Sequence, residues 1–85
     1  MRVEKASSDT VRVAVIFEAN GRIKPVWFEA NGQKTNIEKV CYTWSYHEGA
    51  ATILNFAVWD GVQAYELAFN IMKGSWMVKV QSIAA

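Results

Sequence analysis

The chain is short of nearly everything that would announce a function. It has a single cysteine, Cys41, so no disulfide can form within its 85 residues and packing alone must hold the fold. With one histidine, His47, it falls short of the three or four ligands a zinc site needs. Neither sign of charge is in excess. Nine Lys and Arg against eight Asp and Glu leave +1, without the basic surplus of a strong nucleic-acid binder. The longest uncharged stretch, Gly49 to Trp59, contains Asn and Thr and is too short to span a bilayer. Met1 to Thr10 is polar and has no apolar run of the signal-peptide kind. Together with the unpaired cysteine, this points to a reducing, cytoplasmic setting with no membrane partner and no cofactor.

What the chain does have is apolar mass. Hydrophobic residues make up 52%, and eleven positions are Phe, Tyr or Trp. In one small domain (residues 10–85, after a flexible segment at 1–9), some of these must reach the surface or meet a partner. Each of the five glycines sits between two runs of strand-like residues. Asn20-Gly21, Asn31-Gly32 and Asp60-Gly61 are dipeptides favoured in two-residue hairpins. They delimit six strands at roughly 10–19, 22–31, 33–46, 51–59, 62–71 and 76–83. Pro25 lies inside the second and predicts an irregularity there or an outward-facing nitrogen.

A hairpin turn fixes which residues face each other, so register can be tested. Closing at Asn20-Gly21 pairs Val15 with Val26, Val13 with Phe28 and Val11 with Ala30, and sets Arg12 opposite Glu29 and Ala14 opposite Trp27. Closing at Asn31-Gly32 pairs Val26 with Ile37 and Phe28 with Thr35, and adds Lys34 across from Glu29. One apolar face and one row of alternating charge result. Past Ile37 the alternation slips, which predicts a β-bulge near Glu38-Lys39 and an inward set of Val40, Tyr42, Trp44 and Tyr46. A three-residue loop, His47 to Gly49, then places Trp44 opposite Thr52 and Tyr42 opposite Leu54. Asp60-Gly61 pairs Phe56 with Tyr65 and Leu54 with Leu67. In the last strand Trp76, Val78 and Val80 point inward. The expected fold is all-β: a six-stranded antiparallel meander closed into a small SH3-like barrel or a strongly bent sheet.

Chemistry-bearing residues are sparse. His47 beside Glu48 could form a base oriented by a carboxylate, but an exposed turn offers no pocket to tune either group. Cys41 has only Lys39 nearby to favour a thiolate. No glycine run could cradle a phosphate. The chain therefore reads as a non-enzyme.

The outer surface carries more information. Ile16, Ile23, Pro25 and Trp27 fall outside the first two strands; Ile53, Ala57, Trp59, Val62 and Ala68 fall outside the fourth and fifth. That surface is either a second small core covered by a terminal segment or a face that binds another copy or a protein partner. In the binding reading Trp27 and Trp59 are anchors, flanked by Arg22 and Lys24. Single-stranded nucleic acid is the alternative occupant, stacking on Trp27 beside Arg12, Arg22, Lys24 and Lys34. Glu18, Glu29 and Glu38 dilute that field.

The run Val15-Ile16-Phe17 through Gly21-Arg22-Ile23-Lys24-Pro25-Val26-Trp27-Phe28, with Gly32, Ile37, Val40, Trp44, Tyr65-Glu66-Leu67 and Trp76, resembles a family of small uncharacterised bacterial β-barrel domains. Their shared core is Gly-Arg-Ile-x-Pro-x-x-Phe. The resemblance covers most of the chain and implies a bacterial protein with no active site. Some such domains accompany DNA-repair proteins, which bears on the nucleic-acid alternative. The expected function is a non-enzymatic binding or protein-interaction module, with a homodimer or protein partner.

Overall fold

In a computed structural model, residues 11–80 are described. The expected flexible segment 1–9 and the inward side chain of Val80 lie outside the described residues. The described residues form seven strands: β1 (Arg12–Phe17), β2 (Ile23–Ala30), β3 (Gln33–Asn36), β4 (Lys39–Glu48), β5 (Ala51–Trp59), β6 (Ala64–Asn70) and β7 (Ser75–Val80). They make two antiparallel sheets, β1-β2-β3 and β4-β5-β6-β7. The all-β expectation holds, but the six strands become seven and the sheet does not close into a barrel. The physical reason lies at Ile37-Glu38. The Ile37 N–H donates to Val26 O at 3.0 Å and the next residue, Glu38, donates to Trp59 O at 2.8 Å. Consecutive amides thus bond to different sheets, and the expected third strand is split between them.

The turn at Asn31-Gly32 follows the sequence reading. Ala30 pairs with Gln33, and the two loop residues have φ of 54° and 76°, which Asn and Gly tolerate best. Arg12, Glu29 and Lys34 form the expected row, with an Arg12–Glu29 ion pair at 3.1 Å. The turn near Asn20-Gly21 differs. Glu18 N–H donates to Arg22 O, leaving Ala19, Asn20 and Gly21 in a three-residue loop. Val15 consequently pairs with Pro25, and a bulge at Val26 restores the expected pairing of Ala14 with Trp27 and Val13 with Phe28. The irregularity expected beside Pro25 is there. Pro25 itself is fully buried and Ile23 packs against the core, so neither lies on the outer surface as expected.

Two other turns also depart from expectation. Glu48 pairs with Ala51 across a two-residue turn, Gly49-Ala50, so Trp44 faces Asn55 and Tyr42 faces Ala57. Between β5 and β6 the loop has four residues because Asp60 closes it. Its Oδ1 accepts from Val62 N–H at 2.8 Å and Gln63 N–H at 2.6 Å. Phe56 therefore pairs with Leu67 and Leu54 with Phe69, two residues from the expected register.

The core is a rung across three strands, Phe56–Leu67–Val78, joined by Val58 and by Phe28 from the other sheet. Phe28 meets Tyr65 edge-on, ring centres 5.0 Å apart. Trp76 stacks on Phe69 at 4.7 Å and packs against the core, as the inward assignment of β7 requires.

Truncating the rung should be severe: Leu67→Ala is expected to cost about 2–5 kcal/mol in denaturant unfolding. The Asp60 carboxyl is held below its ordinary value, chiefly by the Gln63 N–H and then by the Val62 N–H. A depressed folded pKa contributes stability that is present above the unfolded value near 3.8 and lost as pH falls through the folded one. Acid unfolding of Asp60→Ala should therefore lack part of the decline the parent shows below that pH, read by circular dichroism at fixed denaturant.

Candidate functional site

β4 is where the fold leaves most unfinished. It is ten residues long and, among the described residues, hydrogen-bonds to β5 on one side only. Every residue but Val40 is exposed, including Tyr42 at 72%, Trp44 at 41% and Tyr46 at 47%. The expectation that Tyr42, Trp44 and Tyr46 point inward is overturned. Leu54, Phe56 and Val58 of β5 pack on the core, and opposed residues in a ladder share a face. Pairing with Ile53, Asn55 and Ala57 puts the three aromatics on the outer face, while Ser45 and Thr43 share the inner face with Leu54 and Phe56. The bulge expected near Glu38-Lys39 lies at Cys41, between Val40 and Tyr42. This extra residue lets Val40 reach the core while Tyr42 turns outward.

The inner face of β4 is open as well. Between it and the β1–β2 turn lies a cleft of about 1040 Å³, lined by Ile23, Leu54, Thr43 and Ser45 among others. Arg22, Lys24 and Lys39 border it together with Glu18 and Glu38, so no single charge dominates.

The four residues expected to bind are divided by this geometry. Arg22 and Lys24 line the cleft. Trp27 stands on the outer face of the three-stranded sheet, half-buried between Lys34 at 4.8 Å and Arg12 at 5.9 Å from its ring centre. Trp59 ends β5 on the outer face of the other sheet, half-buried and opposite Lys39 and Ala64. Of the other residues placed outside, Ile53 is buried and Val62 is exposed.

His47 and Glu48 are strand residues rather than loop residues, and they point to opposite faces. His47 Nδ1 lies 3.3 Å from Thr52 Oγ1, its cross-strand neighbour. Cys41 and His47 are six positions apart on one extended strand, about 20 Å, too far for a thiolate–imidazole pair. Among the described residues no three His, Cys, Asp or Glu side chains cluster as metal ligands, and no helix is long and apolar enough to cross a membrane. No family model, curated protein or solved structure matches the chain.

Beneath the outer aromatics lies Asn55, 1% exposed and opposite Trp44 and Ala68. Its Nδ2 donates a long 3.4 Å bond to Ile53 O, and its Oδ1 has no partner among the described residues. A buried acceptor left unpaired is unfavourable, whereas a branched apolar side chain suits this position in a strand. Asn55→Val is expected to melt at the parent temperature or above. A loss of more than about 1 kcal/mol would mean that the amide is paired in solution.

Proposed function

We propose that this chain is a non-enzymatic protein-interaction module that takes an extended polypeptide strand against the free edge of β4. One observation carries the reading: β4 is a long edge strand with a row of exposed aromatics and almost no protection. Edge strands are normally kept from pairing by shortness, proline, bulges or charge. The other edges fit that pattern. β3 has four residues with Lys34 inside it, and β1 and β7 have six each, with Arg12 and Lys79 at or near an end. β4 has no proline, its charged residues Lys39 and Glu48 stand at its two ends, and its one bulge sits near the first. Main-chain pairing with an added strand supplies affinity, and Tyr42, Trp44 and Tyr46 supply apolar contact and selectivity on one face.

A cytoplasmic bacterial setting accords with the single unpaired cysteine and the resemblance of the Gly21–Phe28 run. The nucleic-acid alternative draws on Trp27 and its two cations. Arg12 is already paired with Glu29, so of the two cations at the Trp27 ring only Lys34 stands without an ion pair among the described residues.

Selection from a displayed library of short peptides should enrich extended sequences that bind the chain. Trp44→Lys should abolish their binding and Trp27→Ser should leave it unchanged, measured by fluorescence polarisation on variants with parental circular dichroism. Peptides that bind Trp44→Lys as tightly as the parent, or a selection that enriches none on a chain that is monomeric, would remove the reading.

A further inference from the structure

The strand that β4 fits best is its own copy. We propose that β4 pairs antiparallel with β4 of a second copy of this chain, about a twofold axis passing through Trp44. This rests on the strand-pairing reading above and names the partner for the same edge.

A twofold axis perpendicular to a sheet sets one residue against itself. Each residue before the axis then lies opposite the residue equally far after it, with the two on one face. Cys41 is looped out of the ladder, so the paired positions of β4 run Lys39, Val40, Tyr42, Thr43, Trp44, Ser45, Tyr46, His47 and Glu48. Trp44 is the middle of this series. Folding the series about it sets Thr43 opposite Ser45 of the second copy, Tyr42 opposite Tyr46, Val40 opposite His47, and Lys39 opposite Glu48. On the outer face the two Trp44 rings meet at the axis, Tyr–Tyr pairs flank them, and a Lys–Glu pair closes each end. On the inner face hydroxyl meets hydroxyl.

No neighbouring axis does as well. Centred on Thr43, the ladder leaves Glu48 beyond its end and sets Lys39 against Tyr46. Centred on Ser45, it leaves out Lys39 and sets Glu48 against Tyr42. Only the Trp44 axis uses the whole strand and matches both charges, and neither Lys39 nor Glu48 has an ion pair among the described residues. Such a dimer would carry one continuous sheet, with β7 at both outer edges.

Sedimentation equilibrium should give twice the 9.6 kDa of the chain. Trp44→Arg, which sets two like charges at the axis, should give the single mass. Lys39→Glu should weaken association roughly tenfold, since two exposed pairs turn repulsive, and Lys39→Glu with Glu48→Lys should restore it. In a Cys41→Ser background, a mixture of Thr43→Cys and Ser45→Cys chains should form an interchain disulfide that neither forms alone. A parent that stays monomeric at its highest soluble concentration while still binding selected peptides would overturn self-pairing and leave the strand-pairing reading standing. A monomer that also binds no peptide would sink both. A dimer that survives Trp44→Arg, or a charge swap that fails to restore association, would overturn the Trp44 axis.

Discussion

One aromatic side chain ties the two sheets together. Phe28 is the member of the buried core cluster that comes from the three-stranded sheet; Phe56, Val58, Leu67 and Val78 come from the other. Its ring lies against Tyr65, and the Val13–Phe28 pairing fixes it at the centre of its own sheet. Val13, Ile23 and Ala30 pack around it from the same sheet at partial burial, whereas β4 gives only Val40 to the packed set. The rest of β4 stays exposed.

The register of Phe28 in turn depends on two irregularities that offset each other. The β1–β2 loop has three residues where two were expected, which would shift every pair beyond it by one. The bulge at Val26 takes up the difference. Without it, Phe28 and Trp27 would exchange faces, and a large apolar ring would be replaced in the core by an indole now held between two cations. Pro25 beside the bulge has no N–H to lose from the ladder, which makes this the place where the mismatch is absorbed most easily.

Much of this was legible in the residues and some was not, for identifiable reasons. Asn31-Gly32 fixed its hairpin because both dihedrals it requires are ones that Asn and Gly accept. The charged row Arg12–Glu29–Lys34 confirmed that register independently. β4 escapes the sequence because alternation sorts side chains into two sets without saying which set is inside. Tyr, Trp and Tyr make the more apolar set, and β5 opposite is apolar on both faces (Ile53 and Ala57 on one, Leu54, Phe56 and Val58 on the other), so it could not arbitrate. The deciding quantity is loop length: two residues at Gly49-Ala50 rather than three flips the faces of Tyr42 through Tyr46, and the bulge at Cys41 keeps Val40 inside. Asp60-Gly61 has the composition of a two-residue turn, but the Asp60 carboxylate accepts two backbone N–H bonds and so favours a longer loop. Alternation marks Trp27 and Trp59 as outward tryptophans but carries no information about sheet edges. The signal that separates Trp44 from them is position on an unpaired strand, which only the split at Ile37-Glu38 reveals.

That split and the bulge at Cys41 also account for the symmetry of β4. In an unbroken ladder Lys39 would share a face with Thr43 and Ser45, and Val40 would lie outside with the aromatics. One extra residue reverses both. Val40 is sent into the core, where it packs, and Lys39 is sent to the outer face, where Glu48 already stands at the opposite end of the strand. A feature needed for burial thus equalises the two arms of the strand about Trp44 and places opposite charges at their tips. Packing inside the monomer requires only that Val40 be buried; it sets no condition on how far Lys39 and Glu48 lie from a common centre. Their equal spacing is a property of the free edge, where pairing with another strand is the interaction that would use it.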